Sequence, residues 1–260
     1  MITSIKSKPV VMSLSGHDPS GGAGIQADIE AIRAQNCHAT TVITCFTVQD
    51  TCNVYRIDPA PATGILQQAT RVLEDMPVHA FKIGLIGSLK NIENIARILQ
   101  EHPDIPVVLD PVLASGGGKS LSSKELATAI CKKLLPLTTI LTPNIPEARA
   151  LSQCESVADC ALYFADQGCR YTLITGTHST RPTRKVINTL LQNGNIVSEL
   201  SWPRLPFTYH GSGCTLASSI AAKVATGQTV IQAVEQAQEY TWTCLHKATR
   251  QGKGQLIPSR

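Results

Sequence analysis

The chain has 260 residues, 43% hydrophobic and 16% charged, which excludes a disordered chain and is enough for one large core, so a single domain over 1–260 is expected. Its 23 basic and 19 acidic residues leave a net charge of +4 with the signs interspersed; without a basic run or an aromatic platform, a nucleic-acid binder is not expected. Nine cysteines, none in a C-x-x-C pair, a polar start from Met1 to Pro9 and no apolar run of membrane-spanning length point to a reducing cytoplasm, with no disulfides, zinc or membrane partner.

Val10 to Leu14 reads as a buried strand feeding a glycine-rich loop, Ser15 to Gly24, and a helix from Ile25 to Ala34. Thr40 to Val48 is β-branched and reads as a strand. Ile65, Leu66, Ala69, Val72, Leu73 and Met76 recur at helical spacing. Ala80 to Ile86 is a strand, Ile92 to Leu99 a helix, and Val107 to Leu109 a short buried strand ending at Asp110. Ser122 with Glu125 fits a capping box opening a helix through Leu134. Strands follow at Thr139 to Leu141 and Thr172 to Ile174, on either side of helical Cys160 to Ala165. Lys185 to Leu191 and Ile196 to Leu200 flank Asn193-Gly194, a hairpin signal. Helices over Thr215 to Ala225 and Val230 to Ala248 close the chain. The alternation predicts a mainly parallel sheet covered on both faces, with one antiparallel hairpin.

The segment from Thr208 to Ala222 carries the most chemistry. Gly211-Ser212-Gly213 is a tight turn that opens a helix, whose unpaired amides and positive dipole end suit an anion. Cys214 at that mouth is expected to gain thiolate character, and the device suits phosphoryl transfer. Gly22-Ala-Gly24-Ile-Gln-Ala27 also matches a dinucleotide fingerprint, but no acidic residue closes the second strand; Gln49 stands there. Gly116 to Ser120 resembles the end of a Walker loop with Leu113 where the first glycine belongs; Lys119 can still reach a phosphate. Asp110 and Glu147 each follow an apolar strand and are candidates to hold Mg²⁺ through water. His17, His178 and His210 lie in loops without metal-ligand spacing.

Together these motifs resemble the ribokinase-like superfamily, and most closely its hydroxymethylpyrimidine/phosphomethylpyrimidine kinase branch. The resemblance is carried by Ser15 to Asp28, Thr47 to Thr51, Lys82 to Gly84, Leu109 to Val112, Thr142 to Glu147, His210 to Leu216 and Gly252 to Gly254. It implies a ribokinase-like three-layer α/β/α sandwich, ATP and Mg²⁺, and a homodimer. It also implies phosphorylation of 4-amino-5-hydroxymethyl-2-methylpyrimidine and of its monophosphate, for thiamine synthesis. By family position, Gly16, Ala23, Asp28, Gln49, Leu85, Val112 and Cys214 line the pyrimidine pocket, with Gly211 to Cys214 as the anion hole. Asp110, Asn144 and Glu147 place Mg²⁺ and phosphates, and Thr175, Thr177 and the stretch around Val186 border the nucleotide. The chain departs from the family at Thr175-Gly-Thr-His178, where a lysine usually precedes Gly-Gly-His, near Asn188, where an aspartate is usual, and in the segment Gln255 to Arg260. Pyridoxal/pyridoxine kinase, which shares the loops, and a pyrimidine-binding protein without turnover stay open as alternatives.

Overall fold

The structure is a computed structural model and describes residues 7–113, 121, 123–176 and 184–260. Nine strands form one sheet in the order β3-β2-β1-β4-β5-β6-β7-β8-β9. In chain order they are β1 (Val10–His17), β2 (His38–Gln49), β3 (Val54–Pro59), β4 (Val78–Ile83), β5 (Val107–Leu109), β6 (Ile140–Leu141), β7 (Tyr171–Thr175), β8 (Lys185–Gln192) and β9 (Asn195–Pro203). The helices are α1 (Gly24–Ala34), α2 (Ala62–Asp75), α3 (Leu89–Glu101), α4 (Lys124–Ala129), α5 (Ile145–Ser152), α6 (Val157–Asp166), α7 (Ser212–Ala225) and α8 (Val230–His246). No helix among the described residues is long and apolar enough to cross a membrane.

Strands β2, β1, β4, β5, β6 and β7 pair in parallel, while β3, β8 and β9 join antiparallel to their neighbours. The expected hairpin is β8–β9, turned at Asn193 and Gly194, both at positive φ. A second antiparallel element, β3, corrects the single-hairpin expectation. Only Val54 of its six residues is buried, so this polar edge strand, ending in a proline, shows no apolar alternation to read.

Successive β1 side chains divide between two cores, Met12 and Leu14 to one face and Val11 to the other. The first core is closed by α2, α3, α5, α6 and the helical turn Ile130–Leu134 that continues α4, with Ile65, Ile95, Leu134, Leu151 and Phe164 buried in it. The second takes Ile32 of α1, Leu216, Ala217, Ile220 and Ala221 of α7, and Val234 and Ala237 of α8. Helix α7 is buried almost all round from Thr215 to Ala222, as a helix wedged between a sheet and two other helices must be. Its start is therefore fixed at the carboxyl end of the parallel strands. Helix α4 begins one residue later than the sequence suggests. Ser122 lies outside the described residues, and the cap is Ser123, whose Oγ accepts from the Leu126 amide.

Candidate functional site

A cavity of about 1410 Å³ opens at the carboxyl ends of the parallel strands, where open α/β sheets bind ligands. Two loops form one wall of it. In the first, between β1 and α1, the Asp18 carboxylate accepts from the Ser20 amide (2.8 Å), the Ser20 hydroxyl (2.8 Å) and the Ala23 amide (2.8 Å), which winds the loop around one side chain. Burial works against that carboxylate, but its hydrogen bonds from His210 and Ser20 hold it below the ordinary range. In the second loop, Gly211 caps α7 at φ 77°, a conformation that favours glycine. A Cβ on Gly211 would land on the Gly22 carbonyl oxygen, and one on Gly22 on the His210 ring. His210 Nε2 pairs with Asp18 Oδ2 at 2.8 Å, so the glycine bend and the α7 start interlock and face one cavity.

The amides that open α7 belong to Ser212, Gly213 and Cys214, all on the cavity wall with Gly211. The first turn of a helix leaves such donors unpaired within the helix. Gly213 leaves the approach open, since an added Cβ would meet nothing nearer than Asp110 Oδ2 at 3.6 Å.

Cys214 sits among charged neighbours, beside Asp110, Asp28 and Lys82 and near the Gly24 amide. The expected thiolate character does not hold. Burial pushes the thiol up to about 12, the charges of Asp110 and Asp28 push the same way, and Lys82 opposes them without prevailing. At neutral pH Cys214 is a thiol, able to donate to and orient an oxygen.

Asp28 is corrected more fully. It is completely buried and absent from the cavity wall. Its oxygens take Lys82 Nζ (2.9 Å), Ser13 Oγ (2.6 Å) and Ser218 Oγ (2.7 Å). Burial works to lower the Lys82 ammonium, but Asp28, Cys214 and Asp110 outweigh it and hold the group above its usual range. Lys82 also bonds Ser15 Oγ at 3.0 Å. It is a fixed cation under the α7 start, and its place between a carboxylate and a thiol far away in sequence could not be read from spacing.

Gly16, Ala23, Gln49, Leu85 and Val112 line the cavity together. Gln49 Nε2 donates to Thr47 Oγ1 (2.7 Å), which in turn donates to the His17 carbonyl (2.8 Å). This chain engages the amide nitrogen, which leaves the amide oxygen as the group suited to accept from a donor. Gly16 packs against Cys45 and Leu85 so tightly that a Cβ would sit 2.8 Å from Cys45 Sγ.

Asp110, Asn144, Glu147 and Thr175 share the wall. Burial pushes the Asp110 carboxyl up to about 6, with Asp28 adding to the shift and Lys82 opposing it. Its Oδ2 is buried without a hydrogen-bond partner. Burial and the Asp110 charge push Glu147 up to about 8. Both Glu147 oxygens are engaged, one by the Leu113 amide (3.3 Å) and one by the Asn144 amide (3.0 Å) in the α5 capping box. No cluster of three or more metal-ligating residues occurs among the described residues. One unpartnered buried carboxylate oxygen fits a hydrated divalent ion, which keeps most of its waters; Glu147 supports the loop around it. Lys119, Thr177 and His178 lie outside the described residues.

At the far end of the cavity, Asn188 is joined by Trp202, Gln238 and Trp242, three residues that the sequence does not point to. Asn188 Nδ2 and Trp202 Nε1 both donate to Gln238 Oε1, at 2.9 and 3.1 Å. The Asn188 oxygen accepts from the Gly176 amide at 3.0 Å. Trp202 stacks on Trp242 with centroids 6.2 Å apart. These are the chain's two tryptophans, and that scarcity was the one available signal.

A profile of the phosphomethylpyrimidine kinase family matches residues 18–258. The chain is 34% identical over 253 residues to hydroxymethylpyrimidine/phosphomethylpyrimidine kinase of Haemophilus influenzae, covering 94% of this chain and 93% of that one. Among solved structures, phosphomethylpyrimidine kinase from Clostridium difficile 630 superposes with a TM-score of 0.78 at 30% identity, over 90% of this chain and 98% of that one. An ADP complex of Bacillus subtilis pyridoxal kinase superposes with a TM-score of 0.88 at 27% identity, over 97% of each chain. The three-layer ribokinase-like sandwich expected from the motifs is thus the observed fold.

Proposed function

Because the chain belongs to the phosphomethylpyrimidine kinase family of thiamine biosynthesis, we propose that its cavity carries the γ-phosphoryl of ATP to the hydroxymethyl group of 4-amino-5-hydroxymethyl-2-methylpyrimidine, and a second phosphoryl to the monophosphate. The observation that supports this most is the interlock of the glycine bend with the α7 start around one cavity. The pyrimidine sits between the apolar Leu85 and Val112 and the bare backbone of Gly16 and Ala23, with its exocyclic amine on the Gln49 oxygen. The hydroxymethyl group points to Cys214. ATP enters from the Thr175, Asn188 and Trp202 end, and its γ-phosphate meets the Ser212 to Cys214 amides.

Catalysis then consists mainly of alignment and charge neutralisation, because the loose transition state of phosphoryl transfer asks little of a base. A Cys214 thiol suits that role: it orients the attacking hydroxyl. Asp110 would hold hydrated Mg²⁺, which when bound screens the phosphate charge. Lys82, paired with Asp28, offsets carboxylate charge beneath α7. We further infer a single kinase domain acting in the cytoplasm as a homodimer with no nucleic-acid or membrane partner; nine scattered cysteines, an odd number without C-x-x-C spacing, support a reducing compartment.

Steady-state ADP release with the free pyrimidine, its monophosphate and pyridoxal tests the assignment. The expected order of kcat/KM places both pyrimidines above pyridoxal. The structural likeness to pyridoxal kinase makes pyridoxal the informative competitor. Faster turnover of pyridoxal, or no ADP from either pyrimidine, refutes the proposal.

A further inference from the structure

Arg260 belongs to the segment that departs from the family pattern, yet its side chain is wholly buried against the elements that build the anion hole. Its Nη2 donates to the Gly22 carbonyl at 2.5 Å, its Nε to Thr215 Oγ1 at 2.7 Å and its Nη1 to Glu30 at 3.1 Å. Thr215 Oγ1 passes the contact on, donating to the Gly211 carbonyl at 2.8 Å. The guanidinium therefore reaches, directly or through one hydroxyl, the glycine bend, α1, the first turn of α7 and the left-handed Gly211 peptide. The segment is tied down beside it, since the His210 amide donates to the Leu256 carbonyl (2.8 Å) and the Leu256 amide to the Thr208 carbonyl (3.0 Å).

We propose that Arg260 is a positioning residue for phosphoryl transfer: through Thr215 it fixes the Gly211 peptide and thereby the aim of the amides that receive the migrating phosphoryl group. A guanidinium is suited to this because its planar fork serves three acceptors in fixed directions, which an ammonium cannot reproduce. Glu30 lies against the same group, so geometry rather than net positive charge is the contribution. A small misalignment at a transfer site costs rate far more than it costs binding.

This inference rests on the kinase reading, and ADP release by the unmodified protein with 4-amino-5-hydroxymethyl-2-methylpyrimidine is its separate control. Arg260→Ala and Arg260→Lys are compared by steady-state kinetics alongside thermal unfolding. Both variants are expected to lose about 10- to 100-fold in kcat, with the pyrimidine KM within about threefold of the parent, and added ethylguanidinium is expected to restore part of the Ala variant's rate. Thr215→Val is expected to show a similar kcat loss that does not add to Arg260→Ala, and Thr215→Ser to retain near-parental turnover. An unchanged kcat in Arg260→Ala, full activity in Arg260→Lys, or additive losses in the double variant overturns the proposal. If Arg260→Ala does not fold, the Thr215→Val and Thr215→Ser pair decides it alone.

Discussion

Two glycines, two residues apart at the start of α7, should respond oppositely in stability and alike in activity when changed to alanine. At Gly213 the backbone is helical, and an added methyl meets nothing closer than Asp110 Oδ2 at 3.6 Å. Gly→Ala in a helix contributes up to about 1 kcal/mol, which in a chain of this size raises Tm by roughly 2–4 °C. The same methyl narrows the approach to the amides that are to receive a phosphoryl group; the N–H groups stay, and denying the phosphoryl group contact with one such donor costs about 100-fold or more in kcat. At Gly211 the φ of 77° costs an alanine about 1–2 kcal/mol, and its Cβ collides with the Gly22 carbonyl oxygen, a backbone atom that cannot swing aside. Gly211→Ala should therefore lower Tm and abolish turnover. Calorimetry paired with coupled ADP detection reads both quantities. Gly213→Ala with parental turnover would show that no phosphoryl group visits the α7 start.

Cys214→Ala should cut turnover by about 10- to 100-fold, while Cys169→Ala, buried in the α6-side core, should leave kcat near parental. Equal rates for both would remove Cys214 from the mechanism. The Cys214 thiol, pushed up to about 12, should contribute no ionisation to the kcat profile between pH 6 and pH 9 (roughly the working range of such assays). A limb in that range that vanishes in Cys214→Ser would contradict this. The Asp110 carboxyl, raised by burial from 3.8 to about 6, contributes stability that is full below the unfolded pKa and is lost as pH rises through the folded one. Tm of the ligand-free protein should therefore carry a falling component between about pH 4 and pH 6 that Asp110→Asn removes; an identical slope in the variant refutes it. Lys82→Met leaves Asp28 buried and unpaired and should cost about 3–5 kcal/mol in urea unfolding, with Lys82→Met/Asp28→Leu recovering much of it. A single-variant cost below about 1 kcal/mol would sink the view of a buried pair beneath the site.

The strands facing two helix layers were legible because short, largely apolar runs such as Val10–Leu14 and Val107–Leu109 admit few alternatives. The glycine bend and the α7 start were legible because their residues answer to backbone geometry that few other residues allow. What sequence could not supply was neighbourhood. Asp28 reads as a pocket residue until Lys82, 54 positions away, turns out to face it. Cys214 reads as a reactive thiol at a helix mouth until burial and two carboxylates are set against that dipole. Strand β3 stayed hidden because an exposed edge needs no apolar stripe, and the Trp202–Trp242 stack because nothing in either local sequence names the other.

The most direct measurement is the crystal structure of the protein with the pyrimidine monophosphate bound. The phosphate oxygens should lie about 3 Å from the amide nitrogens of Ser212, Gly213 and Cys214, with the ring against Gln49 and Val112. A phosphate seated elsewhere in the cavity, with those three amides facing only water, would contradict the assignment.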